Sequence, residues 1–184
     1  MRLFLLLILL LSGRVAAQSP SKFRPYAGLH GSGDAAMFFL GPSVQFGVDY
    51  HCAEPLRLSA YTQYARSRID RRVSPAEFEQ GRLDGLTLAL LAEVHLGRTP
   101  ERGMFVGAGG AWQLVSVEVL NNLFYHREDR AILVPALRVG HAFRLGTHQL
   151  TAELNATGPY HVSDGFGSYT ELITRLSLGT RFVW

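Results

Sequence analysis

Three residues near the C-terminus have the side-chain types needed for nucleophilic catalysis. His161 stands two residues before Ser163, and Glu171 follows eight residues further along the chain. Such a set can supply a base, a nucleophile and a carboxylate that orients the base. The alternative interpretation is that all three are polar residues of a surface loop. The spacing alone therefore indicates a candidate catalytic set and leaves the choice between these interpretations open.

The other residues with chemical potential do not form a site that can be identified from their spacing. The remaining histidines lack the spacing of metal ligands, and Cys52 is the only cysteine of the chain. A single cysteine excludes a disulfide framework and a multi-cysteine zinc site. We therefore expect no metal and no cofactor.

The first seventeen residues have the organisation of a secretory signal peptide. Arg2 precedes the apolar run from Leu3 to Leu11, and the stretch ends in the small residues Val15-Ala16-Ala17. The apolar run is about half the roughly 20 residues that a membrane-spanning helix needs. We therefore predict a signal peptide over residues 1–17 and one exported domain over residues 18–184.

The charge of the exported domain is nearly balanced. Of the 18 basic residues 17 are arginines, and 16 basic residues stand against 15 acidic ones once residues 1–17 are removed. Nucleic-acid binding requires a basic surface, so this balance argues against a nucleic-acid partner.

Apolar residues of the exported domain recur with a period of two, which is typical of β-strands. Leu86, Leu88 and Leu90, for example, alternate with Thr87, Ala89 and Leu91. Turn residues divide the pattern into eight segments, at about 22–32, 42–52, 55–68, 82–97, 103–119, 131–145, 149–158 and 168–184. Short and long connections alternate between them, as in an up-and-down meander closed into a barrel.

Two kinds of barrel are compatible with eight alternating strands. A secreted carrier of the lipocalin type has its apolar face inside around a ligand, whereas a membrane barrel has its apolar face outside in lipid. The polar face of these strands is rich in glycine, alanine, serine, threonine and glutamine and has few charges, as along Gly107, Gly109, Ala111 and Gln113. A water-exposed strand face normally has many charges. The pattern therefore favours an all-β, eight-stranded antiparallel transmembrane β-barrel.

Four charged residues fall on the predicted lumen face: Glu93, Arg138, Glu153 and Arg175. An unpaired buried charge is costly, so these groups require partners. The segment of Glu153 lies between those of Arg138 and Arg175, so Glu153 can pair with either arginine across neighbouring strands. We expect a hydrogen-bonded ionic plug that closes the lumen, and the alternative is a set of independently hydrated charges.

The last residues of the chain form a regular alternating pattern. Leu176, Leu178, Thr180, Phe182 and Trp184 alternate up to a terminal aromatic residue. This run resembles the C-terminal signal that the barrel-assembly machinery recognises in outer-membrane proteins, and the segments 41–50 and 105–110 resemble strands of the small bacterial outer-membrane barrel proteins. The resemblance implies an integral outer-membrane barrel whose partners are the assembly machinery, through Leu176, Leu178, Phe182 and Trp184, and the membrane lipids.

Two further expectations follow from an outer-membrane location. Arg68, Arg71 and Arg72 fall in a predicted loop, and arginine forks bind phosphate in a bidentate manner, so contact with lipopolysaccharide is one interpretation and a solvated loop the other. The His-x-Ser pair followed by a glutamate is similar to the lipid A 3-O-deacylases, which are eight-stranded outer-membrane enzymes. That resemblance implies His161 as base, Ser163 as nucleophile and Glu171 as orienting carboxylate.

The function that we predict is a membrane-structural or surface-interaction role without an open pore. The alternatives are a lipid A deacylase-type hydrolase and a secreted lipocalin-like carrier. An eight-stranded lumen is just wide enough for side chains, which argues against a general porin.

Overall fold

The period-two alternation of the sequence becomes eight β-strands. The computed structural model describes residues 22–34, 40–74, 77–97, 102–121, 125–163 and 170–184, without the side chains of 34, 40, 69–80, 117, 119–126, 128 and 160–173. The strands are β1 (Phe23–Asp34), β2 (Leu40–Ala53), β3 (Leu56–Ser74), β4 (Glu77–His95), β5 (Gly103–Asn121), β6 (Tyr125–Leu145), β7 (His148–Ser163) and β8 (Thr170–Val183). No helix within these ranges is long and apolar enough to cross a membrane.

The strands close into a barrel in which each pairs with its neighbours in the chain and β1 also pairs with β8. All eight pairings are antiparallel. Short turns such as Glu54–Pro55 and Gly146–Thr147 lie at one end, which we call the short-turn end, and the opposite end is the loop end. The predicted eight-stranded antiparallel up-and-down barrel is confirmed.

The strands extend further toward the loop end than the sequence predicted. The stretch 69–81 was expected to be a loop, but β3 and β4 continue to pair from Arg68–Arg82 up to Ser74–Glu77. The stretch 120–130 is likewise mostly strand, and β7 continues through Pro159 to Ser163. The predicted boundaries were wrong because charged and turn-forming residues remain in a strand when the ladder on a neighbouring strand satisfies their backbone groups.

The two faces of the sheet differ sharply in polarity. Leu86, Leu88 and Leu90 are exposed on the outer face, and Thr87 and Leu91 are buried on the inner face. We call the outward apolar surface the apolar belt; on β4 it begins after Asp84 and on β6 after Asp129. Its larger members include Leu29, Phe46, Leu58, Leu86, Leu88, Leu90, Trp112, Leu114, Leu133, Leu137, Leu154 and Leu178. This is the reverse of the arrangement expected of a lipocalin-like carrier.

Proline occurs within four of the strands, as Pro25, Pro42, Pro135 and Pro159. Pro25 lies in β1, where its carbonyl accepts a hydrogen bond from the backbone N–H of Trp184 at 3.2 Å. Pro135 lies in β6, one residue beyond the last described pair of β6 with β7, Ala136–Thr157. Proline has no N–H to donate, and such an edge position tolerates that loss.

Candidate functional site

Six charged side chains from six different strands meet inside the barrel. They are buried, and their charges balance as three carboxylates and three guanidinium groups. We call this group the ionic cluster; it comprises Asp49 of β2, Arg57 of β3, Glu93 of β4, Arg138 of β6, Glu153 of β7 and Arg181 of β8. Buried charges are tolerated when they are paired and hydrogen-bonded, and this balance meets the first condition.

Glu93 is the centre of the ionic cluster because all three arginines approach its carboxylate. Arg57 donates to Oε2 from Nε at 2.9 Å and from Nη2 at 2.5 Å. Arg138 donates from Nη1 to Oε1 at 2.7 Å, and Nη2 of Arg181 lies 3.5 Å from Oε2. Both carboxylate oxygens therefore accept charge-assisted hydrogen bonds, which are stronger than neutral ones.

Glu153 forms a second centre beside Glu93. Nε of Arg181 lies 2.9 Å from its Oε2, and Nε of Arg138 lies 3.8 Å from its Oε1. Nε2 of His30 lies 3.1 Å from the same Oε1. With its amide oriented to satisfy both partners, Gln45 accepts from Nη2 of Arg138 at 2.7 Å and donates to Oε1 of Glu153 at 3.0 Å. The carboxylate is thus held from several strands at once.

Asp49 links two of the arginines of the ionic cluster. Its Oδ2 lies 3.1 Å from Nη1 of Arg57, and its Oδ1 accepts from Nη1 of Arg181 at 3.4 Å. Neutral side chains complete the shell of Arg138, which donates to Oδ1 of Asn155 at 2.6 Å and to Oγ of Ser59 at 3.0 Å. The cluster therefore links strands on opposite sides of the lumen.

Aromatic rings pack on the flat faces of the guanidinium groups. Cζ of Arg138 lies 4.4 Å from the ring centre of Tyr61, and Cζ of Arg181 lies 4.6 Å from that of Tyr26. Phe105 lies between Arg57 and Arg181, at 5.5 and 5.2 Å from their Cζ atoms. Cation–π contacts are stronger when desolvated, so these rings help to hold the arginines in place.

The ring of Tyr26 has space beside β2 because residue 47 is a glycine. A Cβ at Gly47 would lie 2.5 Å from Cζ of Tyr26 and 2.5 Å from the carbonyl oxygen of Ala60. We expect Gly47→Val to displace Tyr26 from Arg181 and to lower the free energy of unfolding by about 1–3 kcal/mol. Urea unfolding of the folded protein in detergent measures the change.

The matched control is Gly31→Ala in the neighbouring strand, because a Cβ there meets nothing closer than a carbonyl oxygen at 3.9 Å. We expect this control to change the free energy of unfolding by less than about 1 kcal/mol. Equal effects of the two substitutions would contradict the assigned role of Gly47.

The structure brings together three of the four lumen charges expected from the sequence. Glu93, Arg138 and Glu153 belong to the ionic cluster, whereas Arg175 is buried apart from it and no ion pair joins it to a described carboxylate. Asp49, Arg57 and Arg181 were not singled out from the sequence. Arg181 and Asp49 do lie on the polar face of their alternating segments, so the same alternation carried the signal for both.

The side chains of the candidate catalytic residues lie outside the part of the chain that the structure describes. Their backbones do belong to the β7–β8 ladder, in which His161 pairs with Leu172 and Ser163 pairs with Thr170. Glu171 pairs with Val162, the residue between His161 and Ser163, so its ladder position is offset by one residue from theirs. The ladder places the three residues on neighbouring strands.

Exposed charges mark the edge of the apolar belt at the loop end. Arg82 and Arg66 both pair with Asp84, the latter through Nε at 3.7 Å from Oδ1. The hydrogen bond to Asp84 raises the pKa of Arg82 above its ordinary value. Arg127 lies 3.3 Å from Asp129, whose pKa is lowered chiefly by a hydrogen bond from Ser116. These groups are partly or fully exposed to solvent, so the pairs contribute little to stability.

The three arginines expected to contact lipopolysaccharide belong to the loop end of β3. Arg68 is exposed on the outer face of β3, beyond Arg66, and the side chains of Arg71 and Arg72 are outside the described residues.

Among the residues whose side chains are described, no group of three histidine, cysteine, aspartate or glutamate residues is arranged to hold a metal ion.

The fold and the ionic cluster together define a class of protein: an eight-stranded barrel with an apolar exterior and a charged, hydrogen-bonded lumen. Three similar solved structures are small bacterial outer-membrane barrels. Neisserial surface protein A is 12% identical, with 89% of this chain and 96% of that chain covered and a TM-score of 0.52.

Two further structures of the same kind match with similar coverage. Ail, the attachment invasion locus protein of Yersinia pestis, is 10% identical, with 88% of this chain and 97% of that chain covered and a TM-score of 0.50. CarO of Acinetobacter baumannii is 14% identical, with 85% and 97% covered and a TM-score of 0.50. No protein-family model and no curated protein sequence matches the chain. These likenesses establish the fold.

Proposed function

We propose that this protein is an integral β-barrel of the bacterial outer membrane with a membrane-structural or surface-interaction role and no open pore. The observation that carries the proposal is the reversed distribution of side chains, with charged groups buried inside and large apolar groups exposed outside. Exposing so much apolar surface to water is unfavourable, whereas hydrocarbon accommodates it.

Aromatic residues near the short-turn end support a membrane position. Phe23 packs on Tyr50 with ring centres 4.7 Å apart, and Phe182 packs between His148 and Trp184. Aromatic residues are enriched where the apolar part of a membrane barrel meets the headgroups. This group corresponds to one girdle of such a barrel.

The ionic cluster supports a lumen without a water-filled path. Its arginines reach carboxylates on opposite walls, and Phe105, Tyr26 and Tyr61 fill the space around them. An eight-stranded lumen is narrow enough for side chains to occupy completely. We infer that the cluster closes the barrel to ions.

Export and assembly belong to the same proposal. Residues 1–17 act as the signal peptide and lie outside the described residues. Leu176, Leu178, Phe182 and Trp184 are exposed on the outer face of β8 or directly after it, and we propose that the barrel-assembly machinery reads them.

The surface-interaction role is assigned to the loop end. β3, β4 and β5 each have nineteen residues, about twice the 9–11 that a tilted membrane strand needs, so they project beyond the apolar belt. We propose that Arg68, Arg71 and Arg72 contact lipopolysaccharide phosphates there. The Ail structure that shares this fold is a complex with the heparin analogue sucrose octasulfate, a polyanionic ligand at that protein.

Reconstitution into lipid vesicles tests the proposal. We expect the refolded chain to insert into phosphatidylcholine vesicles, to resist added protease and to leave the vesicles impermeable to potassium chloride, as protein-free vesicles are. Protease resistance verifies insertion in the same vesicles. An absence of potassium chloride flux through these vesicles therefore reports a closed lumen. A chain that folds and remains soluble without detergent or lipid would contradict the membrane assignment, and salt flux through inserted protein would contradict the closed lumen.

A further inference from the structure

An open groove crosses the outer face of four strands at the loop-end edge of the apolar belt. Its volume is about 430 Å³. The apolar wall of the groove is a single row of successive ladder partners on β3, β4, β5 and β6: Tyr64, Leu86, Leu114 and Ala131. Ala131 is the smallest member of this row. We call this cavity the edge groove.

A second groove continues the edge groove toward the middle of the apolar belt. It has a volume of about 860 Å³, and Leu88, Trp112 and Leu133 stand at its near end. These three residues are two positions along their strands from the apolar row, a step of about 7 Å. Ala108 and Gly110 line the second groove as well and add little side-chain bulk. The two grooves therefore form one path along the outer face that a hydrocarbon chain can follow.

A polar row lies two residues beyond the apolar row, toward the loop end. Its members are again successive ladder partners, Arg66, Asp84, Ser116 and Asp129, and the last three line the edge groove. Oδ1 of Asp84 accepts from the hydroxyl of Tyr64 at 3.4 Å, and Ser116 hydrogen-bonds Asp129. Carboxylate and hydroxyl oxygens accept hydrogen bonds from hydroxyl groups, so this row matches a sugar.

Arginines dominate the next row toward the loop end. Arg68 pairs with Arg82 in the ladder, and the row continues through Glu118 to Arg127. Arg82 contacts Asp84, which lines the edge groove, and Nε of Arg82 is buried with no hydrogen-bond partner among the described residues. Like charges directly opposite each other destabilise a sheet face, and guanidinium groups bind phosphate through paired hydrogen bonds. A phosphate between Arg68 and Arg82 would relieve their repulsion.

The three rows follow the order of the parts of an acylated sugar phosphate. We propose that the edge groove binds a phosphorylated glycolipid, the chemistry of the lipid anchor of lipopolysaccharide. The acyl chain lies over Leu114 and continues past Trp112 into the second groove. The sugar hydroxyls contact Asp84 and its neighbours in the polar row, and the phosphate lies between Arg68 and Arg82. The inference rests on the proposed function and gives its lipopolysaccharide contact a defined site.

Tryptophan fluorescence tests the proposal, because Trp112 lines the second groove and Trp184 is the only other tryptophan of the chain. The exported chain with Trp184→Phe is inserted into vesicles of brominated phosphatidylcholine, which quench tryptophan, and resistance to protease verifies insertion. Lipid A is not brominated, so its binding beside Trp112 restores fluorescence. We expect half-maximal recovery at a mole fraction about tenfold lower than with unbrominated phosphatidylcholine. Equal mole fractions would overturn the proposal.

Two simpler amphiphiles separate the parts of the lipid head. Hexadecyl phosphate has no sugar, and hexadecyl maltoside has no phosphate. Each is expected to require a mole fraction about tenfold higher than lipid A for the same recovery. Recovery by hexadecyl phosphate at the mole fraction of lipid A would overturn the assignment of a sugar to the polar row.

Two substitutions isolate the groove and its arginine row. Ala131→Phe fills the edge groove without changing the charge, and Arg82→Gln removes a guanidinium. Each is expected to raise the half-maximal mole fraction of lipid A about tenfold. The matched controls are Ala152→Phe, at an exposed alanine on the outer face of β7, and Arg102→Gln, at an exposed arginine near the short-turn end. Both controls are expected to change it less than about twofold.

The failure of this inference is distinguishable from the failure of the proposed function. Inserted protein in which Ala131→Phe and Arg82→Gln behave like their controls would overturn the inference and leave the membrane position intact. The inference would also be overturned if Arg71→Gln with Arg72→Gln abolished lipid A binding and Ala131→Phe did not, because the lipid would then be held by the loop-end arginines alone. Failure of the chain to insert would overturn both.

Discussion

Glu93→Ala is expected to lower the free energy of unfolding by about 3–5 kcal/mol, the largest effect of any single substitution in the lumen. The reason is the number of charges that depend on this carboxylate. Arg57 and Arg138 donate to it directly, and Arg181 lies 3.5 Å away. Without it three buried guanidinium groups share two carboxylates, and the excess positive charge cannot be hydrated. Urea unfolding in detergent micelles or vesicles measures the loss.

Asp84→Ala is the matched control for Glu93→Ala. Asp84 also pairs with two arginines, Arg66 and Arg82, but these pairs are partly exposed to solvent at the edge of the apolar belt. Solvent screens such pairs, so we expect a loss below about 1 kcal/mol. If Glu93→Ala cost no more than this control, the ionic cluster would be hydrated and the closed lumen would have to be abandoned.

The second large effect is expected on the outer face. Leu90 is 59% exposed within the apolar belt, and Leu90→Arg is expected to destabilise the membrane-inserted barrel by about 2–4 kcal/mol. An arginine at the middle of the hydrocarbon cannot keep its hydration. Reversible urea unfolding from phosphatidylcholine vesicles measures the difference from the wild-type chain.

The control for this substitution is an arginine placed at a different depth in the membrane. Leu96 is 66% exposed but lies just beyond the end of β4 at the short-turn end, where a membrane barrel meets the headgroups. Leu96→Arg is therefore expected to cost about 0–1 kcal/mol. Equal tolerance of arginine at both positions would mean that water rather than lipid surrounds the belt.

Much of the fold could be predicted from the sequence because a barrel strand repeats its environment every two residues. The alternation around Leu86, Leu88 and Leu90 indicated both the strand and its outward face. The loop-end boundaries could not be read in this way, because arginines and turn-forming residues in 69–81 and 120–130 have the composition of loops. Their strand structure depends on backbone pairing with a neighbouring strand, which composition does not reveal.

The sequence also could not predict which charged residues form the ionic cluster. Alternation places Arg175 and Arg181 on the same face of β8, yet Arg181 joins the cluster and Arg175 does not. Six residues separate them, about 20 Å along a strand. Which residues share a level depends on the stagger between strands around the whole barrel, and no local pattern contains that quantity.

The order of the six cluster charges along the chain has a consequence for assembly. The first four strands bring Asp49, Arg57 and Glu93, a net charge of −1, and the last four bring Arg138, Glu153 and Arg181, a net charge of +1. Within the ionic cluster, each half of the chain therefore contributes an unbalanced charge, and the two contributions neutralise each other only when the halves meet. The cluster charges of the two halves attract each other, so closing the barrel also neutralises the ionic cluster.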